Sequence, residues 1–264
     1  MKYITFLSNG RFGNNVFQYI ATKIIQSYLP DRIYAYQYTL PSASLFYIRE
    51  ENFNSVLAQL KQNNIHLFQE YRVIVLDGYF QFNEYLEEHD ELVRSLFTPR
   101  NHDQICPWLT MSMIASYVSE YSSSFTEQDL VLHFRLDDFI MDGKNSAIIH
   151  FNSYLKLLEE IRGSFTGKLY IIVDRLKYPF EIAYLHQFER YSPIILHGSM
   201  LEDFARCYYA PNFILSNSTF CWIPLLFGPK RRHWFPKNVG VFTNQKFDRL
   251  NDQSIIYDTE RLLF

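Results

Sequence analysis

In the second half of the chain, short apolar runs take turns with helical patterns, and this alternation restricts the fold more than any other feature. Leu130, Val131 and Leu132 read as a buried strand, and Leu155, Leu158 and Ile161 recur at helical spacing behind Asn152 or Ser153 as cap, with Gly163 as the stop. A strand over 168–173, a helix over 179–188 and a strand over 194–196 come next. Ser199 with Glu202 makes a capping-box signature for a helix to about Cys207, which leads to a strand over 213–215. Ser216-Asn217-Ser218-Thr219 then opens one more helix. Strands joined by helices of this length must cross over and lie parallel, so the pattern predicts a doubly wound α/β sheet.

The first half begins the same way. Residues 3–7 read as a strand, 8–15 as a loop rich in turn formers, and Val16, Phe17, Ile20, Ala21, Ile24, Ile25 and Tyr28 as one helix face that stops at Pro30-Asp31. Strands are expected over 32–36 and 72–76, with a weaker helix over 52–60 between them. An Asp77-Gly78 turn leads to a helix over 84–97, and a second helix is expected over 104–121, with Pro107 tolerated near its start. The serine-rich tract 122–128 is the most linker-like stretch, which divides the chain into domains 1–127 and 128–264. With 264 residues and 48% hydrophobic content, two cores can be filled. A short closing helix is expected over 258–264.

Composition removes several classes of function. A net charge of -3 lacks the basic face that nucleic acid requires, although a nucleotide as small ligand stays open. Three cysteines, Cys106, Cys207 and Cys221, show neither metal-ligand spacing nor the even count of a disulfide framework. A reducing, cytoplasmic setting is expected, because residues 1–7 are too short a run for a signal peptide and no run is long enough to span a membrane. The tract Lys230-Arg231-Arg232 reads as a solvated turn, or as a site that attracts phosphate or an anionic membrane in a peripheral contact. The 20 Tyr and 24 Phe suit an aromatic core first and sugar-stacking platforms second.

Chemistry concentrates where the apolar runs end. The strand at 130–132 runs out into His133, Arg135, Asp137 and Asp138, and open α/β sheets bind ligands at such carboxyl ends. His133 can be a packed, hydrogen-bonded histidine or can orient a ligand. Adjacent Asp137 and Asp138 can be a solvated turn or a metal pair, and no larger acidic cluster demands a metal. The loop holding Gly10, Gly13 and Asn14 aims a helix N-terminus outward, so it can meet phosphate or can need its glycines for positive φ. It lacks the third glycine of the dinucleotide fingerprint and the lysine of a P-loop. Asn14 and Gln18 share a helix face as cap and solvated position, or as ligand contacts. Asn217, Ser218 and Thr219 can likewise cap the next helix or bind an anion there.

Taken together, these stretches resemble the α-1,2-fucosyltransferase family, glycosyltransferase family eleven, and related GDP-fucose-dependent enzymes. The family opening N-G-G-L-G-N-Q-M-F-Q-Y-A is similar to residues 9–20, Asn9-Gly10-Arg11-Phe12-Gly13-Asn14-Asn15-Val16-Phe17-Gln18-Tyr19-Ile20. Its H-x-R-R-x-D motif falls on His133-Phe134-Arg135-Leu136-Asp137-Asp138. Its S/N-S-T-F-S-W pattern falls on Asn217-Ser218-Thr219-Phe220-Cys221-Trp222, and a G-Y-F-Q element on Gly78-Tyr79-Phe80-Gln81. The chain departs from the pattern at Arg11, Asn15 and Leu136, the last in place of a second arginine.

The resemblance implies a GT-B-like α/β fold, with two Rossmann-like α/β/α domains facing a central cleft, the first for a glycan acceptor and the second for the GDP-sugar donor. It implies an inverting, metal-independent transfer of fucose from GDP-fucose to a glycan hydroxyl, α-1,2-linked, with no cofactor besides the donor substrate. Arg135 would stabilise the leaving diphosphate, and Asp138 is the nominee for the base. Gly10, Gly13, Asn14, His133, Arg135, Asn217, Ser218 and Thr219 would bind the nucleotide-sugar. Leu136 and Arg11 motivate a second reading, a GDP-sugar- or glycan-binding protein of the same fold with weakened catalysis. The strand, glycine loop and helix at the start motivate a third, a nicotinamide-dependent oxidoreductase.

Overall fold

Apolar β-branched runs flanked by turn formers build two all-parallel sheets, one in each of two compact units, Met1–Ser119 and Glu120–Phe264. The structure, a computed structural model, describes residues 1–38, 44–136, 148–229, 232–237 and 254–259.

In the first unit, β1 (Lys2–Phe6) passes through α1 (Phe12–Tyr28) to β2 (Arg32–Tyr34). Then come β3 (Leu45–Arg49), α2 (Phe53–Lys61) and β4 (Val73–Asp77). The spatial order is β2-β1-β4-β3, all parallel. Val16, Phe17, Ile20 and Ile24 of α1 are fully buried, as their spacing predicts. The terminal nitrogens of buried Arg32 are met by carbonyls: they donate to Tyr3, Phe68 and Tyr71 oxygens.

Two expectations for this unit are corrected. The helix over 84–97 is two, α3 (Asn83–Glu88) and α4 (Asp90–Leu96), because His89 leaves helical geometry at φ -113, ψ 27 while its ring bonds the Tyr85 carbonyl and the Tyr28 hydroxyl. The helix over 104–121 forms only as α5 (Met111–Glu120). Its first part is an antiparallel hairpin of β5 (Gln104–Cys106) and β6 (Leu109–Thr110), with Pro107 and Trp108 in the turn. A proline tolerated at a helix start serves a turn equally well. Strand β3 was not expected at all.

The second unit runs β7 (Leu130–His133), α6 (Phe151–Ile161), β8 (Leu169–Ile172), α7 (Pro179–His186), β9 (Ile194–Leu196), α8 (Met200–Tyr209), β10 (Asn212–Ile214), α9 (Thr219–Phe227), β11 (Arg232–Pro236) and β12 (Ser254–Tyr257). The order β12-β11-β10-β7-β8-β9 is all parallel. From β7 the sheet grows one way through β8 and β9, then returns to β10 and grows the other way. Strands β7 and β10 therefore flank the topological switch point, beyond whose carboxyl ends a crevice forms in open α/β sheets.

Ser199 and Glu202 do form the capping box of α8. For α6 the cap is His150, whose Nδ1 accepts from the Asn152 amide, rather than Asn152 or Ser153; Ser153 is turned into the interior. The expected closing helix lies outside the described residues except for Asp258 and Thr259, which are not helical, and β12 precedes them. Among the described residues no helix is long and apolar enough to cross a membrane.

Candidate functional site

Strand β7 and the residues just beyond it keep the period-two alternation of a strand, and this sorts the motif into core and site. Leu130, Leu132, Phe134 and Leu136 enter one hydrophobic core with Tyr154, Tyr184 and Phe188. His133 and Arg135 point to the other face. Leu136, where the resembling family has an arginine, is 2% exposed and is a packing residue.

His133 lies at the end of β7, and its Nδ1 is 2.8 Å from the hydroxyl of Ser216, two residues beyond β10. The pair bridges the switch point. The imidazole also stacks on Phe220 of α9, with ring centroids 5.6 Å apart and planes at 25°. Burial, with Arg135 as a lesser cause, depresses the His133 pKa to about 3, so the ring is neutral at physiological pH. Nδ1 is the nitrogen taken by Ser216, which leaves Nε2 to meet a ligand.

Helix α9 starts beside this pair. Ser218 is its N-cap, accepting from the Phe220 amide at 3.2 Å, so the capping role is realised. Thr219 is the first helical residue, and Ser216, Asn217 and Ser218 are all buried. The Cys221 thiol donates to the Ser218 carbonyl at 3.0 Å and lies 3.4 Å from that of Ser216, clamping the turn. Burial pushes this thiol up to about 12, so it stays protonated and serves as a hydrogen-bond donor.

Arg135 meets Asp174, just past β8, at 3.4 Å; the Arg135 side chain is 13% exposed and the carboxylate 45%. A second carboxylate, Asp203, lies in the first turn of α8 and accepts from the Gly198 amide and from Arg206 at 2.7 Å. Burial raises its pKa, against the lowering effect of Arg206. Asp137 and Asp138 lie outside the described residues. Among the described residues, no group of three or more His, Cys, Asp or Glu is placed to hold a metal.

Gly10, Gly13 and Asn14 belong to the first unit and form a separate cluster there. Gly10 has φ +81, and a Cβ on it would come 2.1 Å from the Asn14 side-chain nitrogen, so the turn needs glycine. Gly13 does not share this reason: it is the second residue of α1 and has no positive φ. Gln18, expected to be solvated or at a ligand, is fully buried. Its amide takes the Asn9 N–H at 3.3 Å and donates to the Gly78 carbonyl at 2.9 Å, while Gln81 donates to Asn14 at 2.8 Å. The glycine loop and the turn after β4 are thus joined by side-chain amides, at the carboxyl ends of adjacent strands β1 and β4.

Ser216, Phe220, Cys221, Asp174 and Asp203 are neighbours of the site that sequence reasoning did not nominate. For Ser216 the signal was present, because it begins the polar tract at the end of a strand. Asp174 holds the equivalent place after β8, where a carboxylate directly past an apolar run is the same kind of signal.

Two parallel α/β units, the second with its strands in the order of a doubly wound nucleotide-binding sheet, define a GT-B-like fold class. No protein-family model matches the sequence, and no curated protein matches it. Among solved structures the chain is similar to POFUT1 in complex with GDP, with 12% identity and a TM-score of 0.51 over 97% of this chain and 98% of that one. Similarity also extends to POFUT1 in complex with GDP-fucose, at 11% identity and TM-score 0.49, covering 97% of each chain. For the E. coli heptosyltransferase WaaC with ADP it stands at 8% and 0.49, covering 97% of this chain and 93% of the other. At such identities the likeness is one of fold.

Proposed function

We propose that this protein is a glycosyltransferase that uses GDP-fucose as donor and transfers the sugar, with inversion and without a metal, to a hydroxyl of a glycan acceptor, forming an α-1,2 linkage. The observation that carries this reading is the arrangement at the switch point, where neutral His133, Arg135 and the start of α9 meet at the ends of β7 and β10. The motif resemblance supplies the sugar, the linkage and the stereochemistry.

Departure of a nucleoside diphosphate builds negative charge on its phosphate oxygens, so the transition state needs fixed donors aimed there. The planar guanidinium of Arg135 can bind two oxygens in a fork, exchanging Asp174 for the diphosphate. The hydroxyls of Ser218 and Thr219, with Asn217 and the first N–H groups of α9, add donors at a helix end that favours anions. A neutral His133 offers hydrogen bonding without adding charge. The glycine loop, with Gly10, Gly13 and Asn14, is assigned to the same donor, and the rest of the first unit to the acceptor. Asp138 is assigned as the base that takes the acceptor proton.

The test is a thermal-shift panel of nucleoside diphosphates and their sugars, with a turnover assay on GDP-fucose as its second stage. Stabilisation by GDP and GDP-fucose that disappears in Arg135→Ala is the expected result. Equal stabilisation of both proteins removes Arg135 from the site. Burial of Leu136, which leaves the motif with one cation where the resembling family has two, favours a second reading as a binding protein. GDP binding without turnover for any acceptor or water would select it.

A further inference from the structure

At the amino ends of β7, β10 and β11, the opposite edge of the second sheet from His133 and Ser216, lies a cavity of about 540 Å³ lined by Glu127, Gln128, Phe165, Tyr209, Asn212 and Arg232, among others. Its volume falls in the range of small-molecule sites. The walls are preorganised. The Asp129 carboxylate accepts from the Thr126 amide at 2.6 Å and the Lys168 amide at 2.7 Å, and the Gly167 amide donates to the Gln128 carbonyl at 3.1 Å. Gly167 packs so closely that a Cβ would come 2.4 Å from that carbonyl oxygen.

Asn212, 8% exposed, is the most constrained polar group of the lining. Its Nδ2 spends both protons, on the carbonyls of Glu127 and Asp129, each at 2.9 Å. The amide plane is thereby fixed, and Oδ1 has no hydrogen-bond partner among the described residues, so it remains the acceptor that Asn212 offers the cavity. At the rim, the Arg232 guanidinium lies 5.8 Å from the ring centroid of Phe165, which holds the cation in place.

We infer that this cavity is a second ligand site, for a monosaccharide ring carrying one anionic group. Oδ1 of Asn212 calls for a donor such as a sugar hydroxyl, and the Gln128 amide and Glu127 carboxylate exchange bonds with further hydroxyls. Arg232 binds the anion. Of the basic tract 230–232, Arg232 alone belongs to the described residues. Glu127 on the same lining opposes a polyanion such as a nucleoside diphosphate, and the polar walls oppose an apolar ligand.

The probes are glucose 6-phosphate and glucuronate, with glucose and inorganic phosphate as controls, titrated calorimetrically into the full chain. At least one anionic sugar should bind in the millimolar range or tighter, and at least roughly tenfold more tightly than either control. The exposed substitution Arg232→Glu should weaken it by about tenfold or more, and Ser164→Trp, which places an indole in the cavity, should weaken it likewise. Arg135→Ala and saturating GDP should leave it unchanged. The inference is overturned if neither anionic sugar binds, if phosphate alone binds as well, if GDP displaces the sugar, or if both cavity variants bind as wild type. A protein that ignores GDP but binds the sugar would sink the donor-site reading and leave this one standing.

Discussion

His133 Nδ1 and Ser216 Oγ sit 2.8 Å apart across the line where β7 borders β10, joining residues 83 positions apart in the chain. The contact is buried at both ends, so neither partner can turn to water. Removing the Ser216 hydroxyl leaves His133 Nδ1 without this bond, which costs about 1–3 kcal/mol. Ser216→Ala should therefore destabilise the protein by that amount in denaturant titrations and weaken GDP binding. Ser216→Ala with unchanged stability would mean the bond contributes nothing.

Acid should unfold the second unit through His133. Its pKa is about 3 in the folded state against an ordinary 6.5. A folded pKa below the unfolded one means that the unfolded chain binds more protons between these values, so stability falls as pH drops from about 6.5 towards about 3. Above that window His133 contributes no pH dependence. The loss is on the order of a few kcal/mol across the window. Chemical denaturation of wild type and His133→Gln at stepped pH should show a shallower acid slope in the variant.

Leu136→Arg, which restores the residue of the resembling motif, should not restore a site. The side chain at 136 is in the core beside Phe134 and Ile148, and an unpaired guanidinium buried there costs several kcal/mol. Leu136→Ala should cost about 2–5 kcal/mol. A Leu136→Arg protein as stable as wild type and binding GDP more tightly would place this residue in the nucleotide site after all.

Gly10→Ala forces both a positive φ and a clash with Asn14, for a loss of about 1–3 kcal/mol. Gly163→Ala meets no atom within 4 Å and should be neutral or slightly stabilising. Thermal melts of the two variants make the comparison, and equal melting temperatures would remove the conformational argument at Gly10.

Much of this architecture can be read from residues. The elements from β7 to α9 are legible because their apolar runs end at strong punctuation, as at Ser199 with Glu202, Gly163 and the Ser216 tract. Strand β3 is not, since Leu45, Phe46, Tyr47 and Ile48 at a sheet edge lack clear alternation, with Leu45 and Tyr47 more than a third exposed. Nor is the hairpin at 104–110, where local propensity yields to the Gln104–Thr110 pairing. In the site, the residue types at 133–135 are legible from charge beside an apolar strand. What periodicity could have added, and composition could not, is that 134 and 136 share the core face. The Ser216 contact depends on two strands distant in sequence lying side by side, which no local pattern encodes.

The strand order of the second unit also fixes when its crevice can exist. During synthesis β7, β8 and β9 can pair as soon as they emerge, but β7 keeps one edge open until Asn212–Ile214 arrives and covers it. An uncovered parallel edge is a template for pairing with other chains, and pairings so distant in sequence form slowly. The half-made unit therefore carries its greatest aggregation hazard along the strand that later presents His133. Completing the crevice and closing that edge are one event.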